Sequence, residues 1–104
     1  MNSREFSFTL PKGLVDSQNN IHRQGIMRLS TGKDELAVQY DPQVRENPEY
    51  ACFVLWSRSL VRLGTLSVIS PELLEKLFLV DYAYLQDFYR QINQQPGESY
   101  IMGE

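Results

Sequence analysis

His22, Cys52 and the adjacent pair Asp34 and Glu35 are the side chains of this sequence that could carry covalent or proton-transfer chemistry. A histidine titrates near neutrality and can serve as a general base, a thiolate is a nucleophile, and two close carboxylates can share acid and base roles. Each of these residues has weak surroundings. His22 stands between Ile21 and Arg23 at the edge of a turn, with no serine–acid arrangement beside it, and reads as a polar strand residue facing water. Cys52 lies in an apolar helical run beside Phe53, with no histidine near it in sequence, and reads as a buried, inert thiol. Asp34 and Glu35 follow Thr31 at the start of a short helical turn through Leu36 and Val38, where acids ordinarily cap the helix. Arg58 and Arg62 are four apart on one helical face. They could grip a phosphate or an acidic partner, lie on a solvated face, or pair with Glu49 or a more distant acid.

The composition narrows the field further. One cysteine excludes an internal disulfide and a multi-cysteine metal knuckle, and one histidine excludes a histidine-rich metal site. The six glycines are scattered singly, so no phosphate-cradling loop is present. A net charge of −3 and a pI near 5.1 argue against nucleic acid as a partner. The longest apolar run, Ala51 to Trp56, is far shorter than the roughly 20 residues that span a bilayer, which argues against a membrane role. Nothing calls for a cofactor or a metal, and the chain reads as a non-enzymatic cytoplasmic protein.

The elements that would position these residues divide the chain into a strand half and a helical half. Phe6, Phe8 and Leu10 alternate with Glu5, Ser7 and Thr9, the period of a strand with one buried face, and Pro11-Lys12-Gly13 should stop it. After the polar turn cluster Asp16 to Asn20, a second strand runs from Ile21 to Ser30, with Ile21, Met27 and Leu29 in one phase and His22, Gln24 and Arg28 in the other. Gly25 inside it marks a bulge or a close backbone approach. The stretch Asp41 to Pro48 is a connector holding at most one helical turn. Asn47-Pro48-Glu49 starts a helix over about 48–63, with Tyr50, Phe53, Val54, Leu60 and Val61 at helical spacing and Gly64 as its stop. Ser70-Pro71-Glu72 starts a second helix, about 71–79, and Asp81 caps a third, about 81–93, unless 71–92 is a single helix. The expected fold is α+β: a small antiparallel hairpin or sheet over about 5–30, covered on one face by two or three C-terminal helices. Residues 1–93 form one domain, and 94–104 a flexible tail.

Apolar residues are concentrated in the helical half, where residues 50–92 hold 26 of 43, more than one amphipathic face requires. Tyr82, Tyr84, Phe88 and Tyr89 crowd the last helix. Leu85, Phe88 and Tyr89 point one way, while Tyr82 and Tyr84 point elsewhere, either to meet a partner or to lie flat on the domain. The partner-binding candidates are therefore Trp56, Arg58, Arg62, Tyr82, Tyr84 and Tyr89.

The segments Phe6-Ser7-Phe8-Thr9-Leu10-Pro11-Lys12-Gly13, His22-Arg23-Gln24-Gly25, Met27-Arg28-Leu29-Ser30-Thr31 and Asp34-Glu35 occur in an order that resembles the small tail-assembly proteins of contractile-tailed phages. So do Arg58, Arg62-Leu63-Gly64-Thr65-Leu66, Leu77-Phe78, Asp81-Tyr82 and Tyr84-Leu85-Gln86-Asp87-Phe88-Tyr89. The likeness covers about residues 5–93 and extends to phage-derived contractile injection systems. It implies a tail-assembly chaperone that binds the tape-measure protein in the bacterial producer cell, with no catalytic residues. The alternative it leaves open is a minor particle subunit such as a cap, adaptor or baseplate component. Either role involves a protein partner, with self-association a further option.

Overall fold

The computed structural model describes residues 4–94 and forms a small α+β fold. A three-stranded antiparallel sheet, in the order β1-β2-β3, is combined with five α-helices among the described residues. The predicted strand alternation holds at the start of β1 (Glu5–Val15), where Phe8 and Leu10 are buried while Glu5, Ser7 and Thr9 are exposed. β1 does not stop at Pro11. Its pairing with β2 (Ile21–Arg28) shifts between Thr9 and Leu14, and the chain bulges through Pro11, Lys12 and Gly13 before pairing resumes. Gly13 takes φ +103° there, a conformation that suits glycine.

The shift also changes the buried phase of β2. Leu14 pairs with His22, and both face inward, whereas Ile21 is left 63% exposed. The sequence-based phase for the start of this strand is therefore reversed. Gly25 marks a close approach, as expected: an added Cβ would lie 2.5 Å from the Phe8 ring and 2.8 Å from the Arg62 carbonyl oxygen. Phe8 thus covers the position where β2 has no side chain.

Thr31 and Asp34 form a complete capping box that starts α1 (Gly32–Tyr40), a full helix where only a short turn was expected. The connector contains α2 (Pro42–Glu46), capped by Asp41, and a 3-10 turn at Pro48–Tyr50 capped by Asn47. α3 (Ala51–Ser59) follows. The expected continuation to residue 63 is wrong: after Ser59 the chain becomes extended and forms β3 (Leu60–Leu63), which pairs with β2. Leu60 and Leu63 satisfy both periods, because a register shift against β2 lets both face the core at a spacing of three. Gly64, at φ +61°, ends this strand and donates its N–H to the Gln24 carbonyl. It is a strand stop, not a helix stop.

Ser70 caps α4 (Pro71–Leu74), which ends four residues in, well short of residue 79. The turn at 75–78 separates it from α5 (Leu79–Gln94), so a single helix over 71–92 is excluded. Asp81 lies inside the first turn of α5 and is not its cap. Its carboxylate crosses to the β1 bulge and accepts from the N–H groups of Lys12 and Gly13, both at 2.8 Å. The bulge has removed these amides from the β-ladder, so the fully buried Asp81 supplies the acceptors they need. Asp81→Ala is expected to cost about 2 kcal/mol, measurable by urea unfolding, because the buried Gly13 amide is left without a partner. α5 packs on β1, with the Phe88 ring 5.2 Å from that of Phe8. The core joins both halves through Phe8, Leu10, Leu14, Met27, Trp56, Leu60, Leu63, Leu74 and Leu85. The expected tail, apart from Gln94, lies outside the described residues.

Candidate protein-binding surface

The six candidate partner-binding residues do not form one surface. Trp56 is only 2% exposed and sits among aromatic rings, perpendicular to Phe53 at 6.1 Å and 5.4 Å from Tyr82. Tyr82 is half-buried over the same cluster, its hydroxyl 3.6 Å from the Cys52 thiol, which raises its pKa. Its ring also lines a groove between α3 and the start of α5. Tyr84 stacks on Phe88 at 6.1 Å beside Phe8. Tyr89 donates to the Ser30 hydroxyl at 2.9 Å, and burial pushes its pKa up. Ser59 in turn donates to the Leu55 carbonyl, so Ser30 passes its own proton to Ser59 at 2.8 Å. This directed chain of hydroxyls joins α5 to α3 across the end of β2.

Arg58 and Arg62 do not share a face, because one is on α3 and the other on β3. Arg58 donates from Nε to Asp34 at 2.9 Å, while Arg62 reaches the Gly64 carbonyl at 3.1 Å from an exposed position. The distant acid anticipated for Arg58 is thus Asp34. That carboxylate also receives a two-pronged contact from Arg28, at 2.8 and 2.9 Å, and the Thr31 N–H at 2.8 Å. Asp34 is 2% exposed, and the hydrogen-bonded Arg28 guanidinium holds its carboxyl well below the usual carboxylate range. With its oxygens fully engaged, it ties β2, α1 and α3 together.

His22 corrects its expected role. It is buried, not facing water, and its Nε2 is 2.9 Å from Asp16 while its Nδ1 faces the Thr65 N–H at 3.4 Å. The Thr65 N–H points at Nδ1, so Nε2 is the ring nitrogen that donates to Asp16, and the side chain bridges two turns. Its hydrogen bond pulls the Asp16 carboxyl well below the usual range. Gly64 lies against this ring, and an added Cβ would overlap it. Cys52 is half-buried rather than fully buried. Among the described residues no group of three or more His, Cys, Asp or Glu could hold a metal ion, and no helix is long and apolar enough to cross a membrane.

A run of consecutive exposed apolar residues lies at the corner between α4 and α5. Phe78, Leu79 and Val80 are exposed in succession, with Leu79 at 81%. Beside them runs a groove of about 340 Å³ floored by Phe53, Leu74, Leu77 and Tyr82, with Leu79 on its lip. Glu49 and Glu75 also line it, giving the apolar floor an acidic rim. Tyr50 donates its hydroxyl to Glu75 at 2.6 Å, and this bond pushes its pKa up to about 12. Lys12 lies 5.8 Å above the Phe78 ring on the neighbouring side. Of the six candidates only Tyr82 reaches this groove. Its signal was the unbroken apolar run Leu77-Phe78-Leu79-Val80, which no single helical stripe can bury. No protein-family model matches the chain, and no curated protein or solved structure gives a significant match.

Proposed function

We propose that this chain is a tail-assembly chaperone-like protein of a contractile phage tail or injection particle, acting in the cytoplasm of the producing bacterium. It uses the α4–α5 corner to hold an apolar helical stretch of the tape-measure protein. The observation that carries this reading is the acid-rimmed apolar groove beside exposed Phe78, Leu79 and Val80. Exposed apolar residues in succession, rimmed by polar groups, are the usual mark of a protein-binding surface. A groove of this kind suits an amphipathic helix laid in by its apolar face, and the carboxylates of Glu49 and Glu75 favour lysine or arginine along the edges of that helix. The ordered likeness to tail-assembly proteins supplies the biological setting.

Co-expression with the particle's tape-measure protein tests the reading. The expected result is co-purification and a gain in the partner's solubility. Leu79→Asp should abolish both while changing stability by less than about 0.5 kcal/mol, since Leu79 projects into solvent. No effect on the partner's solubility would overturn the proposal. Mass spectrometry of mature particles separates the roles: a chaperone is absent from them, and a structural subunit is present in fixed ratio.

A further inference from the structure

We infer that the α4–α5 corner also pairs with itself: two copies of the chain form a two-fold dimer in which each seats Leu79 in the groove of the other. The order of groups across the corner follows from the first turn of α5. Asp81 points to the β1 bulge, where it holds the amides of Lys12 and Gly13. Tyr82 points to α3, where its ring meets Phe53 and Trp56. At 3.6 residues per turn, Leu79 then stands outward on the Tyr82 side and Val80 outward on the Asp81 side. From α3 toward the sheet, the surface runs from the Glu49 and Glu75 rim through the groove to Leu79 and Val80. It ends at Lys12, whose Nζ lies 5.8 Å from the Phe78 ring.

This order complements itself. A two-fold axis at the lip of the groove carries Leu79 of each copy onto the floor of Phe53, Leu74, Leu77 and Tyr82 in the other. The same rotation carries Lys12 of each copy to the far end, against Glu49 and Glu75 of the other. One operation therefore matches a projecting side chain with a cleft and an ammonium with two carboxylates, and does so twice. Leu79 is 81% exposed, so its approach is open. The charges are also unspent: among the described residues Lys12, Glu49 and Glu75 make no ion pair.

The occupant is a second copy because both charge signs are then answered. A helix carrying only lysine and arginine along its edges would satisfy the acidic rim and leave Lys12 unmet. Rim charges of this kind set the register of an interface and its salt dependence, while the buried apolar anchor supplies most of the affinity. The dimer closes the groove, so a helical partner enters by displacing the second copy. That last consequence rests on the reading above, whereas the dimer itself does not.

Light scattering of the full chain across a concentration series tests this. The wild type should pass from monomer to dimer as concentration rises. Leu79→Asp should weaken the dimer by about tenfold or more. Lys12→Glu and Glu49→Lys, both at exposed positions, should each weaken it several-fold at low salt, with unchanged circular dichroism spectra. Mixing these two variants restores opposite charges at both ends, so the mixture should dimerise more tightly than either variant alone. Lys12 lies outside the groove, so Lys12→Glu should still co-purify the tape-measure protein, which keeps the two readings separable. A wild type that stays monomeric at submillimolar concentration, a dimer indifferent to Leu79→Asp, or a mixture no tighter than its components would each overturn the inference.

Discussion

Truncating Trp56 to alanine should destabilise the protein by about 3–5 kcal/mol, the range for removing a large buried aromatic ring. Trp56 is 2% exposed, touches Phe53 and Tyr82, and sits where α3 meets α5 beneath the sheet. Neighbouring rings cannot collapse into a space of that size without losing their own contacts, so both the transfer and the cavity contributions apply. A domain of this size is stable by about 5–15 kcal/mol, so the variant should be partly unfolded or melt tens of degrees lower. Urea unfolding must be followed by circular dichroism, because Trp56 is the only tryptophan and its fluorescence vanishes with it. A loss of under 1 kcal/mol would show that the ring is not part of the core. Any loss of partner binding in this variant follows from unfolding, in contrast to Leu79→Asp, which keeps the fold.

The second large effect is at Asp34. Asp34→Ala should cost about 2–4 kcal/mol, also read from urea unfolding. Removing one member of a buried ion pair typically costs 3–5 kcal/mol, but here the two arginines are about a third exposed and can turn to water, which lowers the figure. The capping box of α1 is lost in the same substitution. A pH dependence follows. The carboxyl of Asp34 is held below its unfolded value, chiefly by the Arg28 hydrogen bonds, so its stabilisation is present above the unfolded carboxylate pKa of about 3.9. It drains away as pH falls through that value toward the folded one. The wild type should lose stability steeply below about pH 4, and Asp34→Ala should flatten that acid limb. Asp16, held low by His22, adds a limb of the same sign that remains in the variant. An acid limb unaltered by Asp34→Ala would disprove the assignment.

What could be read from the sequence was what neighbouring residues decide. The alternation of Phe6, Phe8 and Leu10, the Ser70-Pro71 start and the Thr31–Asp34 box are local signals, and each marks its element in the fold. The misses depend on distant parts of the chain. Leu60-Val61-Arg62-Leu63 follows a helix with no proline or glycine between, and only the free edge of β2 makes it a strand. Asp81 looked like a cap because its true partners, the amides of Lys12 and Gly13, lie 69 and 68 residues away. His22 is buried because the bulge reverses the phase of β2 and because Gly64 leaves room for the ring. At the candidate surface, residue type points to aromatics, yet most of those rings stack on one another within the fold. The less conspicuous apolar run Phe78-Leu79-Val80 at the α4–α5 corner meets solvent instead.

The packing of α5 on β1 joins the first and last elements of the described chain. During synthesis β1 emerges long before α5 exists. At about 5–20 residues per second, Phe8 and Leu10 wait on the order of ten seconds for the helix that covers them. The nascent hairpin passes that interval with a bare apolar face. Slower translation lengthens this exposure and raises the yield of aggregated chains, and a holdase at the ribosome exit would relieve it.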